Sequence, residues 1–288
     1  MNKTAQYLRN IYKFPSMEDS QDFEKLIKLN LWTHQDDIAF YRDKERTTKC
    51  FTQMLNIKGK DSFIICNQVQ QAWEVISDKS HPSNVIAFIC DNAGFEFFME
   101  LCLADYLYTN YYATSIHFHV KHIPWFILDV TEADIHWMLH HLGKNADKYL
   151  QKMSTVWKEH FKTGRWKIVV RKYWTLPIGF TKMKEIDPLL FKMLEEPKVV
   201  IIIGDMNYRK LFEDKNLEPS TPISDALAEF HPSNVLLVRV MKSEVCCNIK
   251  PSEIEILENL NRNWMDSGLY GFIQFAPKPK VTCDCQGL

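Results

Sequence analysis

Asp91 and Asn92 stand side by side at the end of a continuous apolar run, Asn84-Val-Ile-Ala-Phe-Ile-Cys90. Together they offer a carboxylate and a carboxamide oxygen, the donor types that hard divalent cations take. Two further apolar strings end the same way. Trp125-Phe-Ile-Leu128 runs into Asp129, and Lys198-Val-Val-Ile-Ile-Ile203 runs through Gly204 into Asp205. If the strings are parallel strands, three carboxylates converge on one edge of a sheet, where open α/β sheets bind their ligands. The competing reading is local, because an Asp after a strand is commonly a turn former or a helix N-cap. Three in the same position, one of them beside Asn92, set a metal centre level with that local reading. Gly94 and Gly204 lie at strand-to-helix turns, where a small residue lets backbone approach a ligand and the following helix N-terminus attracts phosphate. Arg209 and Lys210 follow Asp205, and Lys242 follows the string ending at Val240. Each can pair with a phosphate or be a surface charge, and spacing places Lys210 on a solvated helix face.

The elements around these residues alternate. The runs 84–90, 198–203 and 234–240 have the continuous apolar character of strands buried on both faces. Ser62–Cys66, Ser115–Val120, Lys167–Tyr173 and Tyr270–Phe275 are shorter strand candidates, and the string 125–128 is read as another. Helices are expected over 23–31, 68–76, 95–108, 135–142, 147–161 and 252–263. Thr131-Glu-Ala-Asp134 is a capping box before 135–142. Asp187-Pro188 opens a helix to Glu195, with proline at its favoured first position. Strands alternating with helices imply a layered α/β domain. The pentapeptide His-Pro-Ser-Asn-Val at 81–85 and 231–235 precedes a strand both times, with nothing repeated around it, and reflects shared turn chemistry.

Length and composition agree with this class. The 288 residues are 46% hydrophobic and 25% charged, an ordinary globular balance. A formal net charge of -1 gives no global attraction to nucleic acid or an anionic membrane, so phosphate binding has to be local. The N-terminal stretch reads as neither a secretory signal nor a membrane span, which implies an intracellular protein with free thiols at its eight cysteines. Cys90 and Cys102 sit in apolar surroundings. Cys283-Asp284-Cys285 lacks a second pair at zinc spacing and reads as an exposed tail. The charge-rich stretch Arg42–Lys49 reads as solvated. The nine glycines never form G-x-G, and there is no P-loop and no G-x-S-x-G elbow. The ten histidines, among them His117, His119, His122, His136, His140 and His141, form no H-E-x-x-H and read as surface or satisfied side chains.

The same segments carry a family resemblance. Asp91-Asn92-Ala93-Gly94-Phe95-Glu96, Ile123-Pro124-Trp125-Phe126 leading to Asp129-Val130-Thr131, Tyr173-Trp174-Thr175-Leu176-Pro177, Gly204-Asp205-Met206-Asn207-Tyr208-Arg209-Lys210-Leu211 and Leu269-Tyr270-Gly271-Phe272-Ile273-Gln274-Phe275 occur in order. They resemble consecutive blocks of the damage-control phosphatase family, subfamily III, the acidic residue methyltransferase type. The resemblance spans about residues 62–277. It implies a three-layer α/β/α Rossmann-like fold with a mainly parallel sheet, organised as a reduced N-terminal helical segment (1–60), an α/β catalytic domain (61–277) and a tail (278–288). It implies a divalent metal, Mn²⁺ or alternatively Mg²⁺, Co²⁺ or Ni²⁺, held by Asp91, Asn92 and Asp129. It implies a phosphatase acting on fructose 1-phosphate or fructose 6-phosphate, with neither nucleic acid nor membrane as partner and a cytoplasmic or nuclear location. Asp205 is carried over as a catalytic group. Substrate contacts are carried over onto Asp91, Asn92, Glu96, Asp205, Met206, Asn207, Tyr208, Arg209 and Lys242. An S-adenosylmethionine-dependent protein-glutamate methyltransferase is the alternative activity, and an inactive binding paralogue the second alternative. Two departures stand out. The family's R-T-x-K motif is Arg239-Val240-Met241-Lys242, and its Trp-Gly-Asn block is Leu31-Trp32-Thr33-His34-Gln35. With the short N-terminal part, they suggest a shortened, divergent member with a reduced lid.

Overall fold

A computed structural model of the chain describes residues 19–35 and 57–279. The charge-rich stretch 42–49 and the cysteines of the tail lie outside the described residues.

The described residues form one seven-stranded sheet with helices on both faces. The elements are α1 (Asp19–Thr33), β1 (Ile64–Asn67), α2 (Val69–Ser77), β2 (Val85–Ile89), α3 (Phe95–Thr109), β3 (Ser115–Val120), α4 (Glu132–Gly143), α5 (Lys148–Lys162), β4 (Trp166–Val170), α6 (Met183–Ile186), α7 (Pro188–Glu195), β5 (Val199–Ile203), α8 (Asp205–Leu211), α9 (Ile223–Ala226), β6 (Asn234–Val240), α10 (Pro251–Leu260) and β7 (Gly271–Ala276). The strand order is β1-β7-β6-β5-β2-β3-β4. The strands from β6 to β4 run parallel, and β7, antiparallel to β6, carries β1 with it in the reversed direction. This is the mainly parallel α/β architecture expected.

Two-residue periodicity divides the core. Ile86, Phe88, Val199, Ile201 and Ile203 face one helical layer. Ala87, Ile89, Val200 and Ile202 face the other. Strands covered on both sides need side chains without polar atoms, which is why these runs are continuously apolar.

The order contains a reversal that positions everything else. From β2 the chain moves outward through β3 and β4, then returns to lay β5 against the other side of β2 before continuing to β6. The crevice beyond the carboxyl ends of β2 and β5 is therefore a topological switch point.

The helix at 19–33 packs into the same core. Phe23, Leu26, Ile27 and Leu31 are fully buried. Asn30 Nδ2 donates to Met99 O on α3 (3.2 Å), and the Tyr106 hydroxyl donates to Asp19 O (2.8 Å). These contacts bring the residues just after α1 to the carboxyl edge of the sheet.

Two expectations need correction here. Residues 125–128 are not a strand. Phe126 and Ile127 are 54% and 87% exposed, and Ile127 has a φ of 65°. Leu128 N–H donates back to Phe126 O (2.6 Å), closing a three-residue γ-turn. Pro124 removes a ladder donor at the start of the string, and Asp129 Oδ2 accepts the Phe126 N–H (2.7 Å), folding the chain into a loop. Nor are all the histidines surface or satisfied. His122, His136, His140 and His141 are exposed, but His117 and His119 on β3 are buried with no hydrogen bond to either ring nitrogen.

His119 lies edge-on to Trp174, with centroids 5.5 Å apart. Burial, reinforced by His117, pushes its pKa down to about 3. An unfolded histidine takes up a proton near pH ~6.5, so between the two values the unfolded chain binds more protons and stability falls as pH drops. The cost is at most about 1.4 kcal/mol per pH unit. His119→Phe keeps the aromatic contact and removes the proton site. Its thermal midpoint is expected to fall less than the wild type's on going from about pH 7 to about pH 5. Equal falls in scanning calorimetry would remove His119 as a cause of acid instability.

Candidate functional site

The switch point opens into a cavity of about 450 Å³, lined by His34, Asp91, Asn92, the loop Trp125–Asp129, Asp205, Met206, Val240 and Lys242. Its walls come from five places in the chain. Asp91 and Asn92 follow β2, the loop and Asp129 follow β3, Asp205 and Met206 open α8 after β5, Lys242 follows β6, and His34 follows α1.

The backbone ties the two central segments together. Asn92 and Asp129 form an antiparallel bridge, with Ala93 N–H donating to Leu128 O (2.7 Å) and Val130 N–H to Asp91 O (2.8 Å). The two carboxylates are thereby locked into one cavity, 5% and 3% exposed. None of the three aspartates caps a helix. The caps of α3 and α8 are Gly94 and Gly204, and Thr131 caps α4 through the expected box with Asp134. Helix capping therefore accounts for none of these aspartates, and of the three Asp129 holds a turn, through the Phe126 N–H.

Two of the carboxylates have resident cations. Lys121, 1% exposed, places Nζ 3.2 Å from Asp129 Oδ1 and also donates to Cys90 O and to Asn207 Oδ1 (3.0 Å). Arg239 is fully buried. Its Nε donates to Asp205 Oδ1 (2.8 Å), its other nitrogens reach Val245 O, Ser243 O (3.0 Å) and Ser243 Oγ (2.8 Å), and its guanidinium stacks 4.1 Å over the Tyr208 ring. Asp205 also accepts the Lys242 N–H (3.2 Å), which fixes the start of the loop after β6.

Asp91 is served differently. His34 Nδ1 lies 3.6 Å from Asp91 Oδ2 and 2.7 Å from Glu96 Oε2. Burial alone would lower the His34 pKa, but the charge of Glu96 and hydrogen bonds with both carboxylates push it up to about 10. Glu96 also accepts from Asn92 Nδ2 (3.0 Å). It sits behind the cavity wall rather than in it.

The expected substrate set does not all meet here. Asp91, Asn92, Asp205, Met206 and Lys242 line the cavity together with Asp129. Asn207 is buried and donates to Ile203 O (2.7 Å) and Cys90 O (3.1 Å), stapling α8 to the ends of β2 and β5. The Tyr208 hydroxyl donates to Gln274 Oε1 (3.0 Å) in the core. Arg209 is held bidentately by Asp214 (2.7 and 2.6 Å) and lines a neighbouring cavity of about 460 Å³, which shares Trp125 and Met206 with the first. Lys210 is not on a solvated face. Its Nζ is buried and donates to Tyr173 O, Trp174 O and Leu176 O at 2.7–2.8 Å, organising the segment after β4. Burial lowers its pKa to about 7, although three carbonyls match the three N–H donors of an ammonium.

Sequence reading passed over His34, Lys121 and the part played by Arg239. Lys121 and Arg239 leave a trace, as lone basic residues within or just after strongly apolar strands, where an unpaired charge is too costly to keep. His34 leaves none, because its partners are more than fifty positions away.

Asp91, Asn92 and Asp129 fit a divalent cation on their chemistry. Two buried carboxylates and the Asn92 carboxamide line one cavity, and each carboxylate oxygen keeps a second lone pair beyond its internal contacts.

Fold and cavity thus define an α/β protein with a carboxylate-rich site at a switch point. Residues 2–257 match the family described as the damage-control phosphatase ARMT1-like domain, and the chain belongs to that family. It is 32% identical over 260 residues to damage-control phosphatase ARMT1 of Bos taurus, covering 88% of this chain and 58% of that protein. With the Homo sapiens protein of the same name it shares 30% over 276 residues, covering 94% and 62%. The chain thus spans less than two thirds of these relatives' length. A DUF89 family protein from Pyrococcus horikoshii shares the fold, with a TM-score of 0.52 at 15% identity over 96% of this chain and 72% of that one. No helix among the described residues is long and apolar enough to cross a membrane.

Proposed function

We propose that the chain is a metal-dependent phosphatase acting on small sugar phosphates of the fructose 1-phosphate and fructose 6-phosphate type, in the repair or clearance of metabolites. One observation carries this reading: Asp91 and Asp129 are buried together in one cavity with Asn92 and Lys242. The family and the name of its relatives support the reaction class.

Asp91, Asn92 and Asp129 would hold the metal, Mn²⁺ in the first instance. When bound, it supplies Lewis-acid polarisation of the phosphoryl group and orients the nucleophile. Lys121, 3.2 Å from Asp129 Oδ1, aims that carboxylate. Lys242 brings positive charge to the opposite wall, where it neutralises charge developing on the phosphoryl oxygens. Asp205, held by Arg239, accepts a hydrogen bond from a sugar hydroxyl and positions the ester. The Trp125–Leu128 loop supplies an apolar wall that reduces water around the phosphate. A cavity of about 450 Å³ suits a ligand of this size.

The test is phosphate release from a panel of sugar phosphates with added Mn²⁺, Mg²⁺, Co²⁺ or Ni²⁺, run beside Asp91→Ala. Release is expected with Mn²⁺ and is lost on chelation and in the variant. Wild-type release no greater than that of Asp91→Ala for every substrate and metal would leave a binding protein as the better reading.

A further inference from the structure

His34, Asp91 and Glu96 are all buried, and a ligand atom from each lies within 4.8 Å of the other two. They differ from the rest of the cavity in how their charge is balanced. Asp129 has Lys121 and Asp205 has Arg239, each an aliphatic-stemmed cation that cannot ligate a metal while protonated. Asp91 and Glu96 have an imidazole, whose nitrogen ligates once an arriving metal displaces its proton.

A second observation points the same way. Glu100, one turn beyond Glu96 on α3, is fully buried, and neither oxygen has a hydrogen-bond partner beyond the approach of the Cys90 thiol. It adds a third carboxyl to the Asp91–Glu96 side of the site, and His34 Nε2 is likewise buried without a partner. A divalent ion between these groups would balance charge that a single imidazole does not. The 3.6 Å between His34 Nδ1 and Asp91 Oδ2 matches two donors on one ion, since metal–nitrogen and metal–oxygen bonds are about 2.0–2.2 Å.

We propose that His34 supplies a nitrogen ligand to the metal held at Asp91, with Glu96 as its carboxylate neighbour. The site is then a mixed nitrogen–oxygen centre that selects transition-metal ions, Co²⁺, Ni²⁺ and Zn²⁺ most strongly and Mn²⁺ less, over the all-oxygen cations Mg²⁺ and Ca²⁺. This rests on the metal-dependent reading above and adds a ligand and a selectivity to it.

The test uses the full chain without an affinity tag. Pulsed electron paramagnetic resonance of protein loaded with substoichiometric Mn²⁺ reads directly bound nitrogen through its ¹⁴N modulation. Calorimetry compares Zn²⁺ with Mg²⁺ in wild type, His34→Gln and Asp91→Ala. The expected result is a ¹⁴N signal in wild type that disappears in His34→Gln, with the Zn²⁺ to Mg²⁺ affinity ratio falling at least tenfold. No ¹⁴N signal in wild type, or one that survives in His34→Gln with an unchanged ratio, overturns the proposal. The wild-type spectrum decides the matter even if His34→Gln fails to fold. Metal binding lost in Asp91→Ala but unaltered in His34→Gln would sink this inference alone. No binding of any metal to wild type would sink the metal-dependent reading with it.

Discussion

Gly204→Ala is expected to lower the thermal midpoint by several degrees and to abolish metal binding at Asp91, although position 204 contributes no side chain. Gly204 joins β5 to α8 with φ 95° and ψ 157°, a conformation that a residue with a Cβ adopts only under strain. Its amide also donates to Val238 O (3.0 Å), so the backbone is held there. A Cβ at this position would overlap the Asp91 carboxylate. The Asp91 side chain is buried and the overlap reaches back to its own Cβ, so it yields only by leaving the geometry it shares with Asn92 and Asp129. Strain of about 1–3 kcal/mol and overpacking of about 1–3 kcal/mol add at one site. The chain should still fold, because the overlap is confined to the cavity wall. Scanning calorimetry and metal titration check this. A variant that binds Mn²⁺ as tightly as wild type would mean that Asp91 has room to move and that its position is not set by the switch-point glycine. Gly94→Ala is the natural control. Gly94 also has a positive φ, 81°, but a Cβ there meets nothing within 4 Å, so only the backbone cost applies.

Arg239→Ala should be more damaging to stability. The guanidinium has no exposed surface and serves Asp205, Ser243, Val245 and the face of Tyr208 at once. Removing it strands the Asp205 carboxylate against the core and frees the loop that carries Lys242. Breaking one partner of a buried pair costs about 3–5 kcal/mol. For a chain of this size that is a fall of order 10 °C in thermal midpoint. Arg239→Lys separates the two effects. It keeps the charge but cannot reproduce the planar fork, so most stability should return while KM for the sugar phosphate stays raised. Full recovery of both in Arg239→Lys would show that charge alone matters and that Asp205 needs no fixed orientation. Arg239 acts through Asp205 and Lys242, so its effect on turnover should be smaller than its effect on KM.

Much of the architecture was legible from residues 84–90, 198–203 and 234–240. Their continuous apolar character has one good explanation, burial on both faces of a parallel sheet. Thr131 with Asp134 and Asp187 with Pro188 marked helix starts because capping is a matter of neighbours in sequence, and both do cap their helices. The string 125–128 misled for an equally physical reason. Four apolar residues look alike whether they fill a strand or line the wall of a cavity, and only the γ-turn at Ile127 and the hydrogen bond from Phe126 to Asp129 separate the two. Lys210 misled because helical spacing does not reveal the three carbonyls brought to it from the segment after β4.

What the amino-acid sequence determined by itself was therefore a set of strands, several helix starts and the presence of Asp91, Asn92 and Asp205 just after strand ends. Local periodicity and capping encode these, because each depends on residues a few positions apart. Tertiary structure alone decided which ends meet. It set β5 against β2, so that Asp91 and Asp205 share a crevice, and it bridged Asn92 to Asp129. It also decided how each carboxylate is held: Lys121 on Asp129, Arg239 on Asp205, and His34 between Asp91 and Glu96. A buried charge must find a partner, but the partner can come from anywhere in the chain that packing brings within reach. That pairing is a property of the folded chain.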